Sequence, residues 1–185
     1  QIWAWRGGRI KKIQRAVSHM LVIFPFEEQI YKDAGVPVTY IGHPLAETIP
    51  LVPDTVGARA ALGLPADARV VTIMPGSRMG ELKYLAETFV RTAGLLAKRD
   101  PGLTFVVPMA GDKQRAYFNE IVAKASLADI PLVLLDGQSH TAIAAADAVL
   151  VASGTATLEV ALFKKPMVIA YKVMRAAWEI MRHMG

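Results

Sequence analysis

From residue 69 onward the chain alternates short apolar runs with helix-like stretches, and this rhythm limits the possible folds more than any other feature. The runs "RVVTIMP" (69–75), "LTFVVPM" (103–109), "PLVLLD" (131–136), "AVLVAS" (148–153) and "PMVIAY" (166–171) are of strand length and mostly apolar. Between them lie "GELKYLAETFVRTAGLLAKRD", a segment at about 112–127, "SHTAIAAA" (139–146) and the stretch that opens at "SGTATLE". Strands that are apolar on both faces need cover on both faces, and intervening helices supply it. The alternation predicts an α/β domain with a doubly wound parallel sheet. An earlier unit reads the same way, with strand "HMLVIFP" (19–25), helix "FEEQIYKDAG" closed by Gly35, and strand "VTYIG" (38–42). The stretch "HPLAETIPLVPDTVG" carries three of the eleven prolines and suits a connection between domains, with Asp54 as cap of a short helix through "ARAALG".

Composition narrows the function classes. With 53% hydrophobic residues and a positive mean hydropathy, the chain is globular rather than disordered. It has no cysteine, which excludes disulfide scaffolds, cysteine nucleophiles and thiolate zinc sites, and is compatible with a reducing cytosol. No apolar run approaches the roughly 18 residues of a membrane span. A chain of 185 residues that opens on Gln1 within a Trp-rich basic stretch, and stops just after an amphipathic segment, reads as a piece of a longer protein. The net charge of +5 is unevenly spread, because Arg6, Arg9, Lys11, Lys12 and Arg15 all precede the first acidic residue, Glu27. Such a cluster suits anionic lipid headgroups, phosphorylated substrates or nucleic acid, or else forms a solvated helix face. No aromatic platform or recognition helix accompanies it, so nucleic acid is not expected as a partner.

In open parallel sheets, ligands bind at the carboxyl ends of the strands. Two such loops stand out. In "MPGSRMGE" (74–81), Gly76 permits close backbone approach, Ser77 offers a hydroxyl and Arg78 a forked cation suited to phosphate, with Glu81 in the helix that follows. The alternative is an ordinary turn in which Ser77 caps the helix and Arg78 lies in solvent. The loop is neither a Walker sequence nor GxGxxG. In "LVASGTATLEVALFKKP" (150–166), Ser153, Gly154, Thr155 and Thr157 precede or open a helix, and Glu159 lies just inside it. The residue three before Glu159 is Ala156, so a capping box does not explain the carboxylate. An acidic group there can accept both hydroxyls of a ribose, or simply complement the helix dipole.

The remaining candidates are weaker. His43, in "GHP", precedes the proline-rich connection and is a candidate cleft residue. His19 and His140 read as strand-edge or cap residues and His183 as helix surface; no pair has metal-ligand spacing, so no metal site is expected. Trp3 and Trp5 read as core packing. In the last segment Met174, Ala177, Trp178, Met181 and Met184 share a helical face opposite Arg175, Glu179 and Arg182. That pattern fits a membrane-surface helix or a buried interdomain or homodimer helix.

Taken in order, "WAWR", "FPFE", "GHPLAE", "PGSRMGEL", "VVPMA", "LLDG" and "ASGTATLEVALFKKPMVIAYK" resemble the lipid-A-disaccharide synthase family of Gram-negative outer-membrane biogenesis over essentially the whole chain. The resemblance implies a GT-B architecture of two Rossmann-like domains, here incomplete. Residues 1–44 would end the N-terminal, acceptor-side domain, 45–172 form most of the UDP-sugar domain, and 173–185 begin the amphipathic helix leaving it. It further implies an inverting, metal-independent hexosyltransferase with no cofactor. Such an enzyme moves 2,3-diacylglucosamine from its UDP conjugate to 2,3-diacylglucosamine 1-phosphate. It would be cytoplasmic and peripheral on the anionic inner-membrane surface. Gly76, Ser77, Arg78, Glu81, Ser153, Gly154, Thr155, Thr157 and Glu159 are then the expected UDP-sugar contacts, with Arg78 on the phosphates and Glu159 on the ribose. The family's general base is expected earlier in the N-terminal domain, and no residue of this sequence matches it. Other UDP-sugar GT-B enzymes, such as a UDP-N-acetylglucosamine 2-epimerase or a peptidoglycan transferase, and a non-catalytic nucleotide-binding or membrane-adaptor module, are the rival readings.

Overall fold

The computed structural model describes residues 7–125 and 130–172, and the chain divides into two units at Pro50 and Leu51. Trp3, Trp5 and Arg6, and the terminal segment that holds Met174, Trp178 and His183, lie outside the described residues.

The first unit opens with a 3-10 turn at Gly7–Arg9 that runs into α1 (Ile10–Ala16). It continues through β1 (Met20–Val22), α2 (Pro25–Asp33), β2 (Val38–Tyr40) and a single-turn α3 (Leu45–Thr48). The strands pair in parallel from Met20 opposite Val38 to Val22 opposite Tyr40. His19 Nε2 lies 2.9 Å from the Thr39 hydroxyl across this pair, which agrees with its reading as a strand-edge residue. Pro25 sits in the first turn of α2, where its missing N–H costs nothing, and Gly35 takes a positive φ of 68° just beyond the end of that helix. Ile10, Ile13 and Val17 pack on Val22, Tyr31 and Val36, which leaves Arg9, Lys11, Lys12 and Arg15 exposed.

The second unit begins with α4 (Thr55–Ala61), and the expected cap is present: the Asp54 Oδ1 accepts the Gly57 N–H at 2.8 Å. Five strands follow, β3 (Arg69–Met74), β4 (Leu103–Met109), β5 (Leu132–Asp136), β6 (Ala148–Ala152) and β7 (Met167–Ala170). They alternate with α5 (Met79–Arg99), α6 (Asp112–Lys124), α7 (Ser139–Ala145) and α8 (Ala156–Leu162). All neighbours are parallel, in the order β5-β4-β3-β6-β7. The helix expected at about 112–127 ends at Lys124.

Side chains that alternate along a strand feed two cores. On one face Ile73, Phe105, Val107 and Met109 meet Leu82, Leu85, Phe89 and Val90 of α5 and Phe118 of α6. On the other, Val70, Val106 and Leu135 meet Ala142 of α7. Thr72, fully buried on that second face, donates to the Ala142 carbonyl at 2.7 Å, so its hydroxyl is satisfied by the helix above it.

Arg59 was not marked by the sequence pattern, yet it is the one buried cation among the described residues. Its guanidinium donates to the carbonyls of Ala145 (3.0 Å) and Ala66 (2.6 Å) and to the carboxylate of Asp147 (2.8 Å). The second Asp147 oxygen takes the Val70 N–H at 2.8 Å. Nearby, Lys165 donates to the Thr55 hydroxyl at 2.9 Å, and burial lowers its ammonium below the ordinary lysine value. These contacts tie α4 to the amino-terminal edges of β3 and β6. Asp147→Ala strips the charge partner from a buried guanidinium and leaves the Val70 amide without its acceptor. Since the Asp147 side chain is 55% exposed, a full buried-pair penalty does not apply. A loss of about 2 kcal/mol is expected, measured as a lowered denaturant midpoint for unfolding.

Candidate functional site

The order of the sheet sets the location. The chain proceeds from β3 outward through β4 to β5, then α7 carries it back to place β6 on the opposite side of β3. The loops after β3 and β6 therefore leave neighbouring strands toward helices on opposite faces, and a crevice opens between them. Met74, the last residue of β3, is in register with Val151, and β6 ends one residue later at Ala152, so the turns that open at Pro75 and Ser153 lie within one residue of level, on strands about 4.8 Å apart.

After β3, Gly76 adopts φ 110°, and Arg78 is the extended residue that precedes α5. Ser77 provides no side-chain cap; no hydroxyl or carboxylate caps the start of this helix. Its carbonyl instead accepts from Gln114 Nε2 of α6 at 2.9 Å, a brace between the first turn of α6 and the loop. The Arg78 side chain is 84% exposed and donates through one nitrogen to Glu81 Oε1 at 3.1 Å. A single-pronged contact leaves the rest of the guanidinium fork accessible. Glu81 folds back over the turn, so a Cβ on Gly76 would lie 2.8 Å from Glu81 Cβ and 2.9 Å from its Oε2.

After β6, the Ser153 N–H donates to the Ala170 carbonyl at 2.8 Å, which continues the pairing with β7 for one more residue. Ser153, Gly154 and Thr155 are exposed, and Thr155 precedes α8 without a side-chain cap. The helix starts at Ala156, two residues later than the expected start near Gly154, and runs for seven residues. The Thr157 hydroxyl donates to the Gly154 carbonyl at 2.7 Å and closes the turn, which leaves its oxygen as an acceptor. Glu159 projects from α8 with its side chain 21% exposed, and its Oε2 lies 3.2 Å from Nε2 of His140. His140, read from sequence as a strand-edge or cap residue, instead occupies the second position of α7 and packs edge-on against Phe163, ring centres 5.4 Å apart. Gly137 (φ 65°) and Gln138 (φ 54°) are both left-handed, and this tight turn from β5 delivers Ser139 and His140 to α7.

The structure thus brings Gly76, Ser77, Arg78 and Glu81 together on one turn, and Ser153, Gly154, Thr155, Thr157 and Glu159 on its neighbour. His43 belongs to the first unit: its Nδ1 accepts the Leu45 N–H at 3.2 Å at the start of α3, and its ring lies 5.5 Å from that of Phe24. Gln114 escaped the sequence reading, and the contact of His140 with Glu159 was not foreseen in it. Gln114 reaches a partner 37 residues away, which no local spacing encodes. Among the described residues no three histidine or carboxylate side chains converge as a metal site, and no helix is long and apolar enough to cross a membrane.

Chemically, the crevice offers an accessible guanidinium and exposed hydroxyls on flexible-backbone turns, with a half-buried carboxylate beside them. That set favours a ligand with an anionic part and neighbouring hydroxyls. The fold of the chain has neighbours among solved structures. It resembles the HepE protein of Anabaena, solved in complex with UDP and glucose, with a TM-score of 0.51 at 18% identity over 97% of this chain and 52% of that one. The pneumococcal O-GlcNAc transferase GtfA, solved with UDP and GlcNAc, gives a TM-score of 0.54 at 16% identity, over 92% of this chain and 34% of that one. Sequence carries the assignment further. Residues 1–184 match the lipid-A-disaccharide synthetase family, to which the chain belongs. The lipid-A-disaccharide synthase of Aromatoleum aromaticum is 53% identical over 184 residues, and the chain spans 47% of that relative's length.

Gly76 is the position where this geometry is least forgiving. Gly76→Ala forces a side chain into a left-handed backbone and against the Glu81 stem, a cost of about 1–3 kcal/mol. The expected result is a lower unfolding midpoint, read by thermal denaturation, whereas Ser77→Ala next to it should leave the midpoint in place.

Proposed function

We propose that the chain is part of a lipid-A-disaccharide synthase, an inverting, metal-independent hexosyltransferase. It would transfer 2,3-diacylglucosamine from the UDP conjugate to 2,3-diacylglucosamine 1-phosphate. Family membership supports the reaction, and the observation that carries the site is the side-by-side placement of the two turns after β3 and β6, within one residue of level. In this reading residues 45–172 form most of the UDP-sugar domain and residues 1–44 end the acceptor-side domain.

The 6-hydroxyl of the acceptor attacks the anomeric carbon, the bond from that carbon to the diphosphate oxygen breaks, and UDP departs with its electron pair. The new linkage is β-1,6 because attack comes from the face opposite the leaving group. The hydroxyl proton goes to a base carried elsewhere in the full protein. What this chain supplies is leaving-group stabilisation. Arg78 meets the diphosphate with the donors left by its one-pronged contact to Glu81, and Gly76 lets the backbone come close. Ser153, Gly154 and Thr155 line the other side of the crevice. Glu159 accepts the ribose hydroxyls. Oriented donors aimed at developing negative charge are commonly worth about 10²–10³ in rate each.

Exposed Arg9, Lys11, Lys12 and Arg15 on the first unit supply a basic surface for the anionic inner membrane, where both lipid substrates reside. Co-sedimentation of the full-length protein with vesicles rich in anionic lipid is expected at low salt and is lost near 0.5 M salt, with no binding to neutral vesicles.

Titration calorimetry on the full-length protein tests the site. UDP should bind, and Arg78→Ala should weaken it by about 1.5–3 kcal/mol, the value of a charge-assisted contact. Equal UDP affinity in both proteins removes Arg78 from the diphosphate.

A further inference from the structure

Among the described residues, His140 is the single polar partner of the Glu159 carboxylate. Nε2 of the ring and Oε2 of the carboxylate stand within ion-pair reach, 3.2 Å apart, in a contact without the alignment of a hydrogen bond. The ring is itself held, edge-on to the buried Phe163 and at the start of a helix whose entry is fixed by two left-handed residues. Glutamate has three rotatable side-chain bonds, and a free one gives up that freedom when a ligand claims it. Here the freedom is already spent. With one side of the carboxylate turned to the ring, the other oxygen and the outer side of Oε2 can each take a hydroxyl proton.

We propose that His140 is the positioning residue for ribose recognition: its ring, held on Phe163, sets the Glu159 carboxylate through their close polar contact so that the two oxygens meet the 2′- and 3′-hydroxyls of a bound uridine nucleotide. The inference deepens the ribose role given to Glu159 above and rests on it. His140 touches no ligand in this scheme; it acts through the carboxylate. Its side chain is 44% exposed, so replacement of the ring is tolerated by the fold.

The test compares UDP with 2′-deoxy-UDP by calorimetry, in full-length wild type, His140→Phe, His140→Gln, Glu159→Gln and the double variant His140→Phe/Glu159→Gln. The phenylalanine keeps the ring packing on Phe163 and deletes the polar contact; the glutamine amide can stand in for it. Wild type should favour UDP. In His140→Phe, UDP affinity should fall about fivefold while 2′-deoxy-UDP changes far less, the size expected for one hydrogen bond. His140→Gln should recover most of the preference. In the double variant His140→Phe should add nothing to Glu159→Gln, since both remove the same oriented carboxylate. Should His140→Phe not fold, His140→Met removes the polar contact in its place.

Equal losses for the two nucleotides in His140→Phe mean a structural role and overturn the proposal. If Glu159→Gln erases the preference while His140→Phe keeps it, positioning is overturned and the ribose reading stands. If Glu159→Gln keeps the preference, the ribose reading falls, and the proposal falls with it.

Discussion

The pairing of β3 with β6 is the constraint on which the candidate site depends, and Asp147 secures it. This aspartate stands immediately before β6. Its backbone N–H donates to the Val70 carbonyl at 2.8 Å, and its side chain takes the Val70 N–H in return. The β3–β6 ladder is thereby pinned at its amino-terminal end, and every residue downstream inherits that register. A slip by one residue would turn each side chain to the opposite face and offset the two turns at the far end. Arg59 adds a brace from α4, so the α7 end, the sheet edge and the first helix of the unit converge on one carboxylate. The distance from this anchor to the crevice is the length of a strand. Control of the site therefore begins at the end of the sheet remote from it.

Much of this was legible in the sequence because parallel sheets write themselves plainly. Strands of a parallel sheet covered by helices are mostly apolar, so β3 to β7 announced themselves as mostly apolar runs, with boundaries close to those observed, even though Val168 and Ile169 of the edge strand β7 are exposed. Asp54 was recognisable as a cap because the rule is local. The two strand-end turns were found by chain position alone, since the carboxyl ends of parallel strands are where turns face a ligand. What the sequence could not disclose is contact across the chain. Arg59 lies 88 residues from Asp147, Gln114 lies 37 from Ser77, and the histidine that meets Glu159 is on a different helix. Each is a polar residue in a helix whose local pattern offers several equivalent surfaces, and only the folded sheet decides which surface is turned inward. Thr157 adds a local contact that the sequence did not show: its hydroxyl donates within its own turn.

The two charged groups assigned to the nucleotide differ in how they are held, and the difference has physical consequences. Glu159 is mostly covered and fixed by a neutral or cationic ring, so an incoming hydroxyl pair finds an acceptor already oriented. Arg78 is almost wholly exposed and carries a weak one-pronged contact to Glu81. A diphosphate arriving there must share the guanidinium with a carboxylate that also covers Gly76. Like charges in proximity repel, so Glu81 either swings away or is outcompeted by two or more phosphate oxygens in the two-pronged geometry it does not itself use. The exposed end of the site is thus adaptable and the covered end pre-set. Such an arrangement suits a ligand whose invariant part is the nucleoside and whose far end must leave: recognition is built where nothing changes, and mobility is kept where a bond is broken.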